Sequence, residues 1–132
     1  MSSNNSSLKK NHKGLHILIV DDNPINILIL KKSLDRLLDT VHIKEASNGM
    51  EALQLLNEYV FDLILLDIDM PLLNGIDTTK CIRNQGQMIP IIAVTTNDSL
   101  ESRDNYIKIG INDCLGKPVD LQLLEKALFL LL

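Results

Sequence analysis

The segment His16-Ile-Leu-Ile-Val-Asp-Asp-Asn-Pro24 decides how the rest of the sequence is interpreted, because its apolar run ends at two adjacent carboxylates. An almost continuous apolar run is typical of a strand that is buried on both faces of a parallel sheet. Asn23 can cap a helix, and Pro24 suits the first turn of one. The segment therefore predicts a strand, an acidic turn and a helix in direct succession.

The same order of strand and helix recurs four more times along the chain. Apolar runs predict strands at residues 16–20, 41–46, 62–67, 90–95 and 112–116, and the alternating pattern of 41–46 is typical of an edge strand. A helical pattern follows each strand; Asp98 or Ser99 caps the fourth helix, which ends at Gly110, and Asp120 caps the fifth. This order predicts an α/β fold, a doubly wound five-stranded parallel sheet with five helices, in one domain with no output module after it.

Composition narrows the classes of protein that the chain can belong to. The 132 residues are 45% hydrophobic and carry a net charge of −4, which argues against direct nucleic-acid binding. Residues 1–13 are Ser- and Asn-rich, so we expect a disordered tail there and a folded domain over 14–132. No signal peptide or membrane-length apolar run is visible, and the two cysteines are expected to be free thiols. We expect a cytoplasmic protein, or a nuclear one if the organism is eukaryotic, with no membrane partner.

Polar residues stand at the carboxyl ends of four predicted strands, namely Asp21-Asp22, Asp67, Thr95 and Lys117. The carboxyl ends of parallel strands share one edge of the sheet, and ligands bind in the crevice outside it. Three carboxylates, one hydroxyl and one ammonium group are thus expected at a single place. This set of groups suits a divalent cation and a phosphoryl group.

Four motifs in this order resemble the receiver domain of two-component response regulators, whose fold is flavodoxin-like. They are Val20-Asp-Asp-Asn23, Leu66-Asp-Ile-Asp-Met-Pro71 with Gly75, Val94-Thr95, and Lys117-Pro118. The resemblance covers residues 14–132, and the first and last motifs particularly resemble receivers of hybrid-kinase phosphorelays. Each motif alone is weak, whereas four at matching spacing are specific.

The resemblance implies a role for each acidic residue and for the lysine. Asp67 would be the phosphoacceptor, and Asp21, Asp22 and Asp67 would bind Mg²⁺ together with the backbone carbonyl of Asp69. Carboxylates about 4 Å apart repel each other by ~4 kcal/mol at an effective dielectric constant of about 20, so such a cluster should raise one of its own pKa values when no cation is bound. Lys117 would pair with Asp67 and later with a phosphoryl oxygen.

Three further positions complete the implied switch. Thr95 would hydrogen-bond the phosphoryl group and draw the loop before the fourth helix towards Asp67. Pro118 would follow a cis peptide bond. Gly75 would supply a backbone conformation that side chains disfavour.

Three residues depart from the family pattern. Cys114 stands where Tyr or Phe is usual, which puts the aromatic part of the switch in doubt, and a buried structural thiol is favoured over a redox sensor. Thr96 should narrow access to the phosphoryl group, and the side chain of Asp69 adds a carboxylate near the site. Their opposing effects leave the direction of any change in phosphoryl lifetime open.

The resemblance also implies partners, and it leaves alternatives. A histidine kinase or a histidine phosphotransfer protein would donate the phosphoryl group, and a downstream protein would bind the face formed by helix 4, strand 5 and helix 5. The chain would catalyse only its own phosphorylation and dephosphorylation. One alternative is a degenerate receiver that acts as a phosphorylation-independent interaction module. Another is a phosphatase of the haloacid-dehalogenase kind, although Asp67-Ile68-Asp69 follows the acidic pair here and does not lie on the first strand.

Overall fold

The computed structural model describes residues 14–70 and 72–132, so the predicted tail over residues 1–13 lies outside the described residues. It contains one five-stranded parallel sheet with the strand order β2-β1-β3-β4-β5. The strands are β1 (Leu15–Val20), β2 (Val41–Ala46), β3 (Leu63–Asp67), β4 (Ile91–Thr95) and β5 (Asp113–Gly116). The predicted doubly wound fold and its five strands are confirmed, each strand boundary to within one residue.

Five helices connect or follow the strands. They are α1 (Pro24–Leu37), α2 (Gly49–Glu58), α3 (Gly75–Asn84), α4 (Leu100–Ile109) and α5 (Leu121–Leu131). Each helix begins after a polar residue whose side chain accepts a hydrogen bond from a backbone N–H of the first turn, and these residues are Asn23, Asn48, Asn74, Ser99 and Asp120. Of the two candidates for the fourth cap, the structure uses Ser99, and Gly110 ends α4 in the left-handed conformation, as predicted.

The core has two parts, one on each face of the sheet. On one face β-strand residues pack against α1 and α5, represented by Leu34 and Leu124. On the other face they pack against α2, α3 and α4, represented by Leu56, Ile82 and Tyr106. Every residue of β3 and β4 is buried because both faces of these central strands are covered.

The edge strands are less buried, and β2 lies at the edge of the sheet, as its sequence predicted. Its exposure alternates only over residues 41–43, because Lys44 is half-buried and Glu45 is exposed. Within residues 14–70 and 72–132, no helix combines the length and the hydropathy that crossing a bilayer requires.

Candidate functional site at the carboxyl edge of the sheet

Three carboxylates meet where β1 and β3 end. Asp21 and Asp22 follow β1, Asp67 ends β3, and these two strands are neighbours in the sheet. One oxygen from each of the three side chains lies within 4.8 Å of the others. Asp21 and Asp67 are only 1% and 3% exposed, whereas Asp22 is exposed, so two of the charges are withdrawn from water.

Lys117 supplies the nearest positive charge. Its Nζ lies 3.2 Å from Oδ1 of Asp67 and 3.4 Å from Oδ2 of Asp21. The sequence predicted the pairing with Asp67 but gave no signal for the pairing with Asp21, which lies 96 positions away. The lysine follows β5 and reaches across β4, so one ammonium group bridges two carboxylates from separate strands. The peptide bond between Lys117 and Pro118 is cis, as expected from the resemblance.

Burial and the neighbouring charges shift the pKa values of Asp67 and Lys117. Burial, followed by the charge of Asp21, raises the pKa of Asp67 above its ordinary value of 3.8, although Lys117 and the amide of Asp69 act in the opposite direction. Burial alone would lower the pKa of Lys117, but the two carboxylates outweigh it and raise that pKa above 10.5. The pKa of one member of the cluster is thus raised in the expected direction, but burial contributes more to the rise than the repulsion from Asp21 does.

Backbone amides fix the two buried carboxylates. The N–H of Asn23 donates to Oδ1 of Asp21 at 2.9 Å, and the N–H of Asp69 donates to Oδ1 of Asp67 at 3.2 Å. Each bond spans two residues, so the turn after each strand holds the side chain at the end of that strand. The side chain of Asp69 is exposed, and the role of its carbonyl oxygen as a metal ligand stays a prediction.

Thr95 is fully buried at the end of β4, where it pairs with Gly116 of β5, while the preceding Val94 pairs with Asp67 of β3. Its carbonyl oxygen accepts from the N–H of Lys117 at 2.9 Å, and its hydroxyl oxygen accepts from the N–H of Asn97 at 3.1 Å. The neighbouring Thr96 is exposed, and its effect on access to the site stays a prediction.

The structural role of Gly75 differs from the predicted one. Its backbone does not have a positive φ, so the prediction that it supplies a conformation disfavoured by side chains is wrong. A Cβ atom at this position would lie 2.5 Å from the carbonyl oxygen of Asp67 and 2.7 Å from Cα of Ile68. Glycine is therefore required for the close approach of α3 to the turn that follows the candidate phosphoacceptor.

Cys114 is 3% exposed, and burial raises the pKa of its thiol. The preference for a buried structural thiol over a redox sensor is confirmed, because a reactive cysteine needs exposure and a lowered pKa. The predicted free thiols are also confirmed, since Cys81 and Cys114 form no disulfide.

Comparison with known proteins shows the family to which this domain belongs. Residues 17–129 match the model of the response regulator receiver domain. The sensor histidine kinase RcsC of Salmonella typhimurium is 37% identical over 112 residues, which cover 85% of this chain and 12% of that protein. The chain thus spans about an eighth of the length of this relative.

Two solved structures illustrate the fold similarity. The receiver domain of the sensor histidine kinase PA1611 from Pseudomonas aeruginosa, with magnesium coordinated in its active-site cleft, has a TM-score of 0.78 and 32% identity over 89% of this chain and 97% of that one. The co-crystal structure of the Saccharomyces cerevisiae phosphotransfer protein Ypd1 with the receiver domain of Ssk1 has a TM-score of 0.79 and 33% identity, covering 87% of this chain and 86% of the matched one.

The five-stranded parallel sheet and these similarities identify a receiver domain of two-component and phosphorelay signalling. The chain belongs to the response regulator receiver domain family. Members of this class are generally signalling modules and not enzymes with an independent substrate.

Proposed function

We propose that Asp67 accepts a phosphoryl group from a phosphohistidine. The observation that carries the proposal is the position of its carboxylate, which is 3.2 Å from the amine of Lys117 and in the same cluster as Asp21 and Asp22. In the reaction a carboxylate oxygen of Asp67 forms a bond to phosphorus while the nitrogen–phosphorus bond of the donor breaks. The imidazole nitrogen keeps the electron pair and takes up a proton, and the product is an aspartyl phosphate.

Lys117 and Thr95 would stabilise the transferred group. Lys117 already contacts Asp67, so its ammonium can follow the negative charge onto a phosphoryl oxygen. The hydroxyl of Thr95 accepts from the N–H of Asn97, which leaves its own proton available for a phosphoryl oxygen.

The acidic cluster fits Mg²⁺, which prefers hard oxygen ligands and takes only a few carboxylates. We infer that Asp21, Asp22, Asp67 and the carbonyl oxygen of Asp69 would hold it, in keeping with the magnesium site of the PA1611 receiver. The raised pKa of Asp67 supports this fit, because burial and the charge of Asp21 both disfavour its ionised form, which a bound cation would favour. When bound, the cation would neutralise charge on the phosphoryl oxygens.

The donor is proposed to be a histidine kinase or a histidine phosphotransfer protein. This is supported by the complex in which the histidine phosphotransfer protein Ypd1 is bound to the receiver domain of its downstream response regulator Ssk1. A protein donor has to reach Asp67, so its contact surface must surround the site. A groove of about 100 Å³ beside Asp21 and Lys117 is lined in part by Ile29 of α1. Ile25, Leu28 and Ile29 are 50–66% exposed, and they offer an apolar surface within reach of that donor.

The surface of α4, β5 and α5 is proposed as the face that a downstream protein binds. A groove of about 180 Å³ lies there between Arg103, Cys114 and Leu130. Leu123 and Leu130 of α5 are 53% and 68% exposed, which suits a protein partner better than a solvated face.

The proposal is tested by incubating the protein with Mg²⁺ and acetyl phosphate, followed by phosphate-affinity electrophoresis. We expect a shifted band that is lost in Asp67→Asn and kept in Asp104→Asn, which removes an exposed carboxylate of α4. Absence of the band from the wild-type protein would favour a phosphorylation-independent interaction module. Continuous release of phosphate from an unrelated monoester would favour a phosphatase.

A further inference from the structure

A chain of hydrogen bonds runs from Thr95 to helix α4. The N–H of Asn97 donates to Oγ1 of Thr95 at 3.1 Å, and the carbonyl oxygen of the same Asn97 accepts from the hydroxyl of Tyr106 at 3.1 Å. One residue of the β4–α4 loop thus joins the buried threonine to a tyrosine of the following helix. A displacement of Thr95 would therefore act on this peptide segment and, through it, on the hydroxyl of Tyr106.

Tyr106 is also the residue of α4 that lies within the buried core. It is 5% exposed and is the only residue of α4 that is fully buried. The other side chains of α4 are exposed or half-buried, and among them Ile109 also packs against the buried cluster. A displacement of the Tyr106 side chain would therefore change the packing of α4 on the core.

The position that usually carries an aromatic ring on β5 is occupied by Cys114, which is too small to transmit such a movement. Tyr106 and Cys114 lie in the same buried cluster, and Tyr106 is the aromatic residue of that cluster that bonds to the β4–α4 loop. Arg103 holds the next loop residue, because its Nε donates to the carbonyl oxygen of Asp98 at 3.0 Å. Both loop attachments come from α4 and neither comes from β5.

We propose that Tyr106 is the positioning residue that transmits phosphorylation to α4, through the Asn97 main chain, in place of an aromatic ring at position 114. This inference rests on the proposed function, since it requires Thr95 to turn towards a phosphoryl group on Asp67. The tyrosine does not take part in the phosphoryl transfer. The hydrogen bond from its hydroxyl to Asn97 would determine how far α4 moves when Asp67 is phosphorylated.

The test compares the wild-type protein with Tyr106→Phe, which keeps the buried ring and removes only the hydroxyl. Both are treated with Mg²⁺ and acetyl phosphate, phosphorylation is measured by phosphate-affinity electrophoresis, and hydrogen exchange is measured over residues 97–109. We expect equal phosphorylation and a phosphorylation-dependent change in exchange that is present in the wild-type protein and lost in the variant. Tyr59→Phe removes the hydroxyl of a half-exposed tyrosine after α2 and should respond like the wild type.

A second measurement does not depend on the folding of the Tyr106 variant. The chain has two tyrosines and no tryptophan, so Tyr59→Phe leaves Tyr106 as the only strong ultraviolet fluorophore. We expect phosphorylation to change the fluorescence of Tyr106 in this protein. An unchanged signal, or an exchange response in Tyr106→Phe equal to that of the wild type, would overturn the relay while phosphorylation of Asp67 still held. Failure of the wild-type protein to become phosphorylated would instead overturn the proposed function, and the relay with it.

Discussion

The bridging amine of Lys117 allows a sharp test of the electrostatics of the site, through the variant Lys117→Met in a metal-free buffer. The ammonium group contacts Asp67 at 3.2 Å and Asp21 at 3.4 Å, and the two acidic side chains are 4% and 2% exposed. Removing one partner of a buried ion pair costs about 3–5 kcal/mol because the remaining charge is left buried and uncompensated. The lysine side chain is itself 20% exposed, so we expect a loss of about 2–4 kcal/mol in the free energy of unfolding at pH 8.

The loss should become smaller as the pH falls. The pKa of Asp67 is raised above its unfolded value, so its contribution to stability is complete below pH 3.8 and is lost as the pH rises through the folded pKa. Removal of Lys117 raises the pKa of Asp67 further, so the pH range over which Asp67 takes up a proton on folding becomes wider. At pH 5 a larger fraction of Asp67 is therefore protonated in the variant than in the wild type. Less unpaired negative charge is then buried in the variant, so its loss of stability is smaller.

Urea unfolding followed by circular dichroism measures the loss, and Lys31→Met is the matched control. Lys31 pairs with Glu45 at 2.8 Å, a shorter distance than either pair of Lys117, but these side chains are 41% and 45% exposed. Exposed pairs contribute about 0.2–1 kcal/mol, so the control should lose little stability and show little change between pH 5 and pH 8. Equal losses in the two variants would refute the reasoning, because burial would then not determine the cost.

Three further predictions concern Gly75, the two cysteines and Arg83. Gly75→Ala should lose about 1–3 kcal/mol in urea unfolding, because its Cβ would meet backbone atoms of Asp67 and Ile68 that cannot move aside; an alanine variant as stable as the wild type would contradict the close approach. A thiol reagent should modify one cysteine quickly in the folded protein, and Cys81→Ser should abolish that phase, because Cys114 is buried with a raised pKa. Arg83→Gln should lower the free energy of unfolding by about 1–3 kcal/mol, because the guanidinium donates twice to the carbonyl oxygen of Gly110, at 2.8 and 3.0 Å. Full recovery of stability in Arg83→Lys would contradict this explanation, because the positive charge alone would then be sufficient.

The sequence could predict the fold because local patterns and global topology agree in this chain. The buried runs before Asp21 and Asp67 have no alternation, and the helix caps occur at the residues that chemistry favours. The meeting of Asp21, Asp22, Asp67, Thr95 and Lys117 followed from one rule, that parallel strands share a carboxyl edge.

Other features depend on tertiary distances that no local pattern contains. The second contact of Lys117, with Asp21, arises because a long side chain crosses a neighbouring strand. A glycine required for its small size has the same sequence signal as one required for its backbone angle, so the purpose of Gly75 was predicted wrongly. The bond between Tyr106 and Asn97 joins a side chain to a carbonyl group nine residues away, and amphipathic periodicity gives no indication of it.

The buried polar residues distinguish the site from the rest of the core on physical grounds alone. Within the described residues there are five, and Thr78 and Thr79 return their hydroxyl groups to carbonyl groups of their own helix or its cap, at 2.7 and 2.8 Å. The other three, Asp21, Asp67 and Thr95, lie together at one edge of the sheet, and the carboxylates depend on an amine from the far end of the chain. A structural core gains nothing from two adjacent buried carboxylates, because each raises the cost of ionising the other. The arrangement is consistent with selection for chemistry at this edge, since a cation and a phosphoryl group would use the charges that folding alone disfavours.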